Sequence, residues 1–146
     1  MPRLVDVVKG ALVGSLITLN VSTIPSPAHR PQVGKFGTYY AKGYQICMAD
    51  CIKQLALQKP AVPLEGDLVA VIEVVCHRPK TTKFKRPQGD VDNYAKAPMD
   101  AAKKALIWLD DVQVETALID KRWTAPGELP GYTITIGYAP DVAQTS

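Results

Sequence analysis

Apolar residues recur along the chain with two different spacings: every second residue, as in strands, and every three or four residues, as in helices. Residues 15–24 alternate in polarity and are rich in β-branched side chains, which predicts a strand. Residues 67–77 form an almost uninterrupted β-branched run, which predicts a central strand buried on both faces. A short strand or hairpin arm is predicted at 36–41, and further strands at 111–121 and 132–138.

Two segments, residues 43–58 and 93–109, repeat their apolar residues every three or four positions, as helices do. The stripe of the second segment predicts the face that packs on the sheet. Pro98 interrupts this segment, and a proline inside a helix removes a backbone hydrogen bond. We therefore expect either a distorted first turn or a regular helix that begins near Ala97.

The order of the predicted elements indicates the fold class. Strand, short strand, helix, strand, helix, strand and strand predict an α/β (α+β) fold, a single-domain mixed β-sheet with two packed helices. A chain of 146 residues is typical of one domain, here 1–146. Residues 1–13 are expected to be an N-terminal extension, for which a short amphipathic helix and an extra strand both remain open, and residues 140–146 a tail.

Composition narrows the class of protein. The chain is 47% hydrophobic and 21% charged, which is typical of a globular protein with a core. Asp6 and Lys9 interrupt the apolar start, so we expect neither a membrane span nor a signal peptide. The three cysteines do not have the spacing of a disulfide framework. We read them as reduced thiols of a cytoplasmic protein.

A basic loop is predicted directly after the central strand. Its prolines argue against a packed element, and a phosphate backbone is a natural ligand for such a cluster, although a solvated loop is the simpler alternative. Phe84 lies in the middle of the loop and either contacts bases or anchors the loop to the core. The cations are Arg78, Lys80, Lys83, Lys85 and Arg86.

An acidic motif follows the basic loop. Asp90 and Asp92 are two residues apart, so in extended backbone their carboxylates face the same side. Lys96 lies one helical turn after Asp92, and the carboxylates of Asp110 and Asp111 arrive from a later element. Carboxylates can hold Mg²⁺ while a substrate phosphate completes its octahedron. The alternative is ordinary capping chemistry, with Asp92 as the N-cap of the helix.

The block of residues 89–114 resembles the signature of the RusA family of Holliday junction resolvases (crossover junction endodeoxyribonucleases). That signature is D-x-D-N-x-x-K, an Asp on the same helix, a short variable stretch, and then D-D-x-Q-V. Order and spacing are both kept. The matching residues are Asp90, Asp92, Asn93, Lys96, Asp100, Asp110, Asp111, Gln113 and Val114.

The resemblance implies a role for each matching position. Asp90, Asp92 and Asp111 are expected to bind Mg²⁺ or Mn²⁺, and Lys96 is expected to stabilise charge or orient the nucleophile. Asn93, Asp100 and Asp110 are expected to support these residues, with Asp100 either holding the Lys96 side chain or forming a simple ion pair with it.

The resemblance also implies a partner, which is branched DNA in the form of a four-way junction. The expected enzyme is a cytoplasmic homodimer in a bacterial or phage-infected cell, acting in recombination and repair. Three alternatives remain open: a non-catalytic binder of branched DNA, a less specific Mg²⁺-dependent nuclease, and a metal-dependent enzyme for small phosphate esters. The residues expected to contact DNA are Arg78, Lys80, Lys83, Phe84, Lys85 and Arg86, with Arg30 from a proline-rich loop after the first strand.

Overall fold

The computed structural model describes residues 3–28, 32–35, 37–39 and 41–139. Four strands form one mixed sheet in the order β1-β6-β4-β5, and two short strands form a separate hairpin. β4 and β5 are parallel, and the other pairs are antiparallel. The elements are α1 (Leu4–Ala11), β1 (Val13–Ser22), β2 (Gln32–Gly34), β3 (Gly37–Tyr39), α2 (Lys42–Gln58), β4 (Leu68–Cys76), α3 (Val91–Lys104), a 3₁₀ turn (Asp111–Gln113), β5 (Val114–Trp123) and β6 (Gly131–Tyr138).

The predicted central strand is β4, and every one of its residues is buried. Ile72 and Val74 join the core with α2 and α3, together with the fully buried Trp108. Glu73 lies between Ile72 and Val74, so its side chain faces the other side of the sheet. There Lys9 of α1 donates a hydrogen bond of 3.0 Å to it. The sheet therefore carries α2 and α3 on one face and α1 on the other, which confirms the mixed α+β fold.

The helices differ from the prediction in number and in bounds. Residues 4–11 form a third helix, which decides between the two alternatives for the N-terminal extension. α3 begins at Val91 and continues regularly through Pro98, so neither a distorted first turn nor a start near Ala97 occurs. It ends before the predicted residue 109 because Leu106 adopts a φ of 63°. This left-handed residue closes the helix, since the Ile107 N–H then bonds the Ala102 carbonyl at 2.9 Å.

The two edge strands of the sheet differ in the hydrogen-bond partners of their outward-facing backbone groups. At the β1 edge, the side-chain amides of Gln54 and Gln58 on α2 replace a neighbouring strand. Gln58 accepts from the N–H of Asn20 at 3.0 Å and donates to its carbonyl at 2.7 Å. Gln54 does the same with Ser22, at 2.8 and 2.7 Å. At the opposite edge β5 pairs with β4 alone.

The state of the cysteines and the character of the helices can be compared with the expectations from sequence. All three cysteines are free and buried, which agrees with their reading as reduced thiols. Burial raises the pKa of the Cys76 thiol. Within the described ranges, no helix has the length and apolar character needed to cross a membrane.

Candidate functional site

The first turn of α3 presents two carboxylates to solvent. Asp90 is the N-cap, with φ −76° and ψ 142°, and the helix begins one residue later. Asp92 is therefore inside the first turn and is not the N-cap, contrary to the expectation from sequence. Both side chains are exposed, and the Asp90 carboxylate makes no capping hydrogen bond. Neither carboxylate has a hydrogen-bond or ion-pair partner among the described residues, so capping does not occupy either of them.

Lys96 extends this surface along the same helix. It is exposed and lies one turn after Asp92, because Pro98 does not distort the helix. The expected pair between Lys96 and Asp100 does not form within the described part of the chain. Asp100 instead lines a cavity between α3 and α2, together with Met48. Asp100 is therefore unlike the other matching residues in this region, since it faces the neighbouring helix.

The turn before Asp90 depends on Gly89. Its φ of 106° is a conformation that side-chain-bearing residues rarely adopt, and a Cβ here would lie 2.9 Å from the Tyr94 ring. The Gly89 carbonyl accepts a hydrogen bond from Lys121 Nζ on β5. Tyr94 in turn donates to the Gln88 carbonyl at 2.7 Å. These contacts fix the direction in which the chain enters α3.

The basic loop runs beside the carboxyl end of β5. Trp123 Nε1 donates to the Phe84 carbonyl at 2.8 Å, and the Thr124 N–H donates to the Cys76 carbonyl at 2.9 Å. The Arg86 guanidinium reaches the Lys121 carbonyl at 3.5 Å. All five cations of the loop are exposed, and none forms a salt bridge with a carboxylate of the described chain. Their charge is therefore not neutralised by the protein in these ranges.

Phe84 is attached through its backbone and not through its ring. Its carbonyl takes the Trp123 hydrogen bond, while its side chain remains 53% exposed. The ring therefore does not anchor the loop to the core, which was one of the two alternatives for this residue.

Asn93 connects the first turn of α3 to the loop after β1. Its carbonyl accepts the Ala28 N–H at 2.9 Å. Ala28 is the last described residue before the segment that contains Arg30, and Arg30 itself lies outside the described residues. The expected contribution of Arg30 to a DNA surface stays a prediction.

Asp110 and Asp111 belong to the 3₁₀ turn and not to a strand. Asp110 caps the turn, because its carboxylate accepts from the Val112 N–H at 3.1 Å. Gln113 closes it by accepting from the Asp110 N–H at 3.1 Å. Asp111 is half-buried and accepts the indole N–H of Trp108 at 2.8 Å. Both carboxylates thus have structural partners, unlike Asp90 and Asp92.

The 3₁₀ turn lies at the opposite end of the sheet from Asp90. Val114, three residues after Asp111, pairs with Leu68 at the start of β4, whereas Lys121 touches Gly89 beyond the end of β4. The seven residues from Val114 to Lys121 correspond to about 23 Å of strand. Within one chain the three aspartates therefore do not converge, contrary to the expectation from their spacing.

The donor set can be compared with what a divalent metal requires. Mg²⁺ is commonly held by one or two carboxylates together with waters and substrate phosphate, so the exposed pair Asp90 and Asp92 fits that ion. Asp111 does not join them in one chain. Across the described residues, no group of three or more His, Cys, Asp or Glu is placed to hold a metal.

Lys121 and Trp123 were missed as residues that support the site. The sequence shows that Lys121 is a basic residue at the end of the strand predicted at 111–121. It does not show that this side chain donates to the Gly89 carbonyl. Trp123 carried no signal in the apolar pattern that distinguishes it from an ordinary strand residue. Their contacts depend on β5 lying beside the basic loop.

Exposed carboxylates beside a lysine and a basic loop form a surface that is suited to binding a phosphate backbone. The sequence profile of the family described as "Endodeoxyribonuclease RusA" matches residues 23–137. The chain therefore belongs to the RusA endodeoxyribonuclease family, which confirms the resemblance seen in the acidic motif. Its class is that of hydrolases that cut DNA internally. No curated protein matches the chain.

Proposed function

We propose that this protein resolves four-way DNA junctions as a homodimer, by paired symmetric hydrolysis that depends on Mg²⁺ or Mn²⁺. Such an activity would act on junctions formed in recombination and repair. The observation that carries the proposal is the juxtaposition of two carboxylates and five cations that have no ion-pair partner among the described residues, in a chain of the RusA family. A junction has two-fold symmetry, and a dimer is the matching symmetry for two equivalent cuts.

The basic loop is proposed to hold the DNA backbone. Neutralising a phosphate releases condensed counterions, and the logarithm of affinity falls with the logarithm of salt by about 0.9 for each contact. Contacts by all five loop cations would thus give a slope of about 4.5. The exposed Phe84 ring is proposed to contact bases at the branch point, where stacking is already interrupted.

The chemistry is assigned to the first turn of α3. When bound by Asp90 and Asp92, Mg²⁺ would supply polarisation of the scissile phosphate and a water of lowered pKa. Lys96, exposed one turn further along α3, would stabilise the negative charge that develops on the phosphate. The Gly89 turn, held by Lys121 and Tyr94, would keep Asp90 in place during the reaction.

The experiment that tests the proposal is a gel assay with a labelled four-way junction and a linear duplex of the same sequence. We expect paired symmetric nicks in the junction alone, lost with EDTA and in Asp92→Asn. Asp67→Asn is the matched control, because this exposed carboxylate lies before the start of β4, at the other end of the sheet.

Three results would change the assignment. A junction that is bound but never cut with any metal would make the protein a binder of branched DNA. Equal cutting of both substrates would make it a less specific nuclease. Undiminished cleavage by Asp92→Asn would remove the acidic site from the mechanism.

A further inference from the structure

We propose that Lys121 is a positioning residue that sets the direction of the Asp90 carboxylate toward a divalent metal, while Asp92 does not depend on it. The inference rests on the proposed function and deepens it, because it makes one of the two metal ligands depend on a residue outside the acidic motif. The contact that carries it is the hydrogen bond from Lys121 Nζ to the Gly89 carbonyl. That carbonyl belongs to the peptide group that leads directly into Asp90.

The first argument is the way in which Asp90 is held. Its carboxylate makes no capping hydrogen bond and has no ion-pair partner in the described part of the chain, so its direction follows from its backbone alone. On the helix side, the Asp90 carbonyl accepts the Tyr94 N–H at 3.2 Å. On the other side, the Gly89 carbonyl accepts from Lys121. These two hydrogen bonds hold the backbone on either side of Asp90.

The second argument is the freedom of the turn that Lys121 holds. Gly89 has a φ of 106°, and a glycine can leave such a conformation easily because no Cβ restricts it. Tyr94 holds the preceding residue of the turn, since its hydroxyl donates to the Gln88 carbonyl at 2.7 Å. Among the described residues, Lys121 is the one side chain that bonds the Gly89 carbonyl. Without it, rotation at Gly89 would turn the peptide group that precedes Asp90.

The third argument is the difference between the two carboxylates. Asp92 lies inside the first turn of α3, so the helix itself holds its backbone. A change at Lys121 would therefore move Asp90 relative to Asp92. Mg²⁺ demands a nearly ideal octahedral arrangement of its ligands, and a small rotation of one ligand lowers its affinity. Metal affinity is thus the property that reports on Lys121 directly.

The fourth argument is the place of Lys121 on β5. Ile119 and Trp123 alternate with it on one face of the strand, and both pack against the core. Lys121 therefore leaves the sheet on the face that carries α3, where it is half-buried. It forms no salt bridge with a carboxylate of the described residues. Placing a cation between two core residues has a desolvation cost that packing does not explain, and the contact with Gly89 accounts for it.

The experiment compares two substitutions of one residue. Lys121→Met keeps an unbranched stem and removes the donor, whereas Lys121→Arg keeps both the donor and the charge. Binding of Mn²⁺ to the protein alone is followed by the electron paramagnetic resonance signal of the free ion. Residues that orient metal ligands typically contribute 10–100-fold to metal affinity, so we expect at least tenfold weaker binding by Lys121→Met. Lys121→Arg should recover most of this affinity.

Cleavage and junction binding give a second pair of measurements. We expect Lys121→Met to nick the junction slowly at limiting Mg²⁺ and to approach the wild-type rate when Mg²⁺ is saturating. Its binding to the junction in EDTA should keep the wild-type dependence on salt. A slope of log affinity against log salt reduced by about 0.9, with unchanged Mn²⁺ affinity, would make Lys121 a contact to the DNA backbone and overturn the proposal.

The matched control is Glu128→Gln, which removes an ion pair of the same strand. Arg122 donates to Glu128 at 2.7 Å, and as the neighbour of Lys121 it faces the other side of the sheet. We expect this variant to lose stability but to keep its Mn²⁺ affinity. Equal weakening of Mn²⁺ binding in Glu128→Gln and Lys121→Met would assign the effect to general loosening and overturn the specific role.

Two further results separate this inference from the proposed function. Unchanged Mn²⁺ affinity in Lys121→Met would overturn the role of Lys121, while cleavage of the junction by the wild type would leave the proposed function standing. A wild-type protein that binds Mn²⁺ but cuts no junction would remove the proposed function. The comparison of Lys121→Met with the wild type would then still decide the positioning role, because it needs neither DNA nor cleavage.

Discussion

The role of Asp111 can be separated into a structural and a chemical part by two substitutions. Asp111→Ala removes the acceptor of the Trp108 indole N–H, and Trp108 is fully buried. A buried donor left without a partner costs about 1–3 kcal/mol. Asp111→Asn keeps a side-chain oxygen at this position, so it should lose little of that stability. The two variants therefore share the loss of a carboxylate but differ in the fate of the indole.

The magnitude is large enough to measure. A loss of about 2 kcal/mol lowers the melting temperature of a chain of this length by about 4–8 °C. The free energy of unfolding is obtained from denaturant titrations followed by tryptophan fluorescence, to which Trp108 contributes. The nicking assay is run on the same samples. Because the resemblance to the RusA signature implies a metal-binding role for the Asp111 carboxylate, we expect both variants to lose cleavage and only Asp111→Ala to lose stability.

Two outcomes would refute the reasoning. Equal stability of Asp111→Ala and wild type would mean that the Trp108 contact does not contribute to folding. Wild-type cleavage by a stable Asp111→Asn would mean that the carboxylate has no chemical role and serves only as a hydrogen-bond acceptor.

Two further predictions concern the basic loop and pH. Lys83→Ala should weaken junction binding and reduce the slope of log affinity against log salt concentration by about 0.9. Lys53→Ala, which changes an exposed lysine of α2, should alter neither quantity. Equal slopes for the two variants would argue against the loop as the contact to the DNA backbone. Hydrogen bonds from Arg122 lower the pKa of Glu128 from its ordinary 4.5 to about 2. The stability that this pair contributes is therefore present above pH 4.5 and is lost as pH falls toward 2. We expect the unfolding free energies of wild type and Glu128→Gln to converge over that window. Parallel profiles of unfolding free energy against pH would contradict this.

Local patterns of the sequence were sufficient for most elements. The β-branched run identified β4, because a strand buried on both faces needs apolar residues at every position. The helical repeat identified α2 and α3, and the density of charge identified the basic loop. The motif that starts at Asp90 identified the family, which the match over residues 23–137 confirms. Each of these features is set by residues close together in the chain.

Bounds were less well determined where two local preferences compete. Asp110 and Gln113 form a capped 3₁₀ turn, and this chemistry delayed the start of β5 from residue 111 to Val114. Pro98 suggested a distorted first turn or a later start of the helix, but α3 accommodates it as a fully buried residue of its packed face. Local capping therefore decided the first outcome, and burial against the rest of the protein decided the second.

What the sequence determined by itself is the chemistry available: a cluster of carboxylates, a lysine one turn away, and a cluster of cations. What only the tertiary structure decided is which of these groups meet. A separation of about twenty residues between Asp90 and Asp111 does not state a distance in space. Because α3 is continuous from Val91 to Lys104, those residues carry the chain from the end of β4 back to the start of β4.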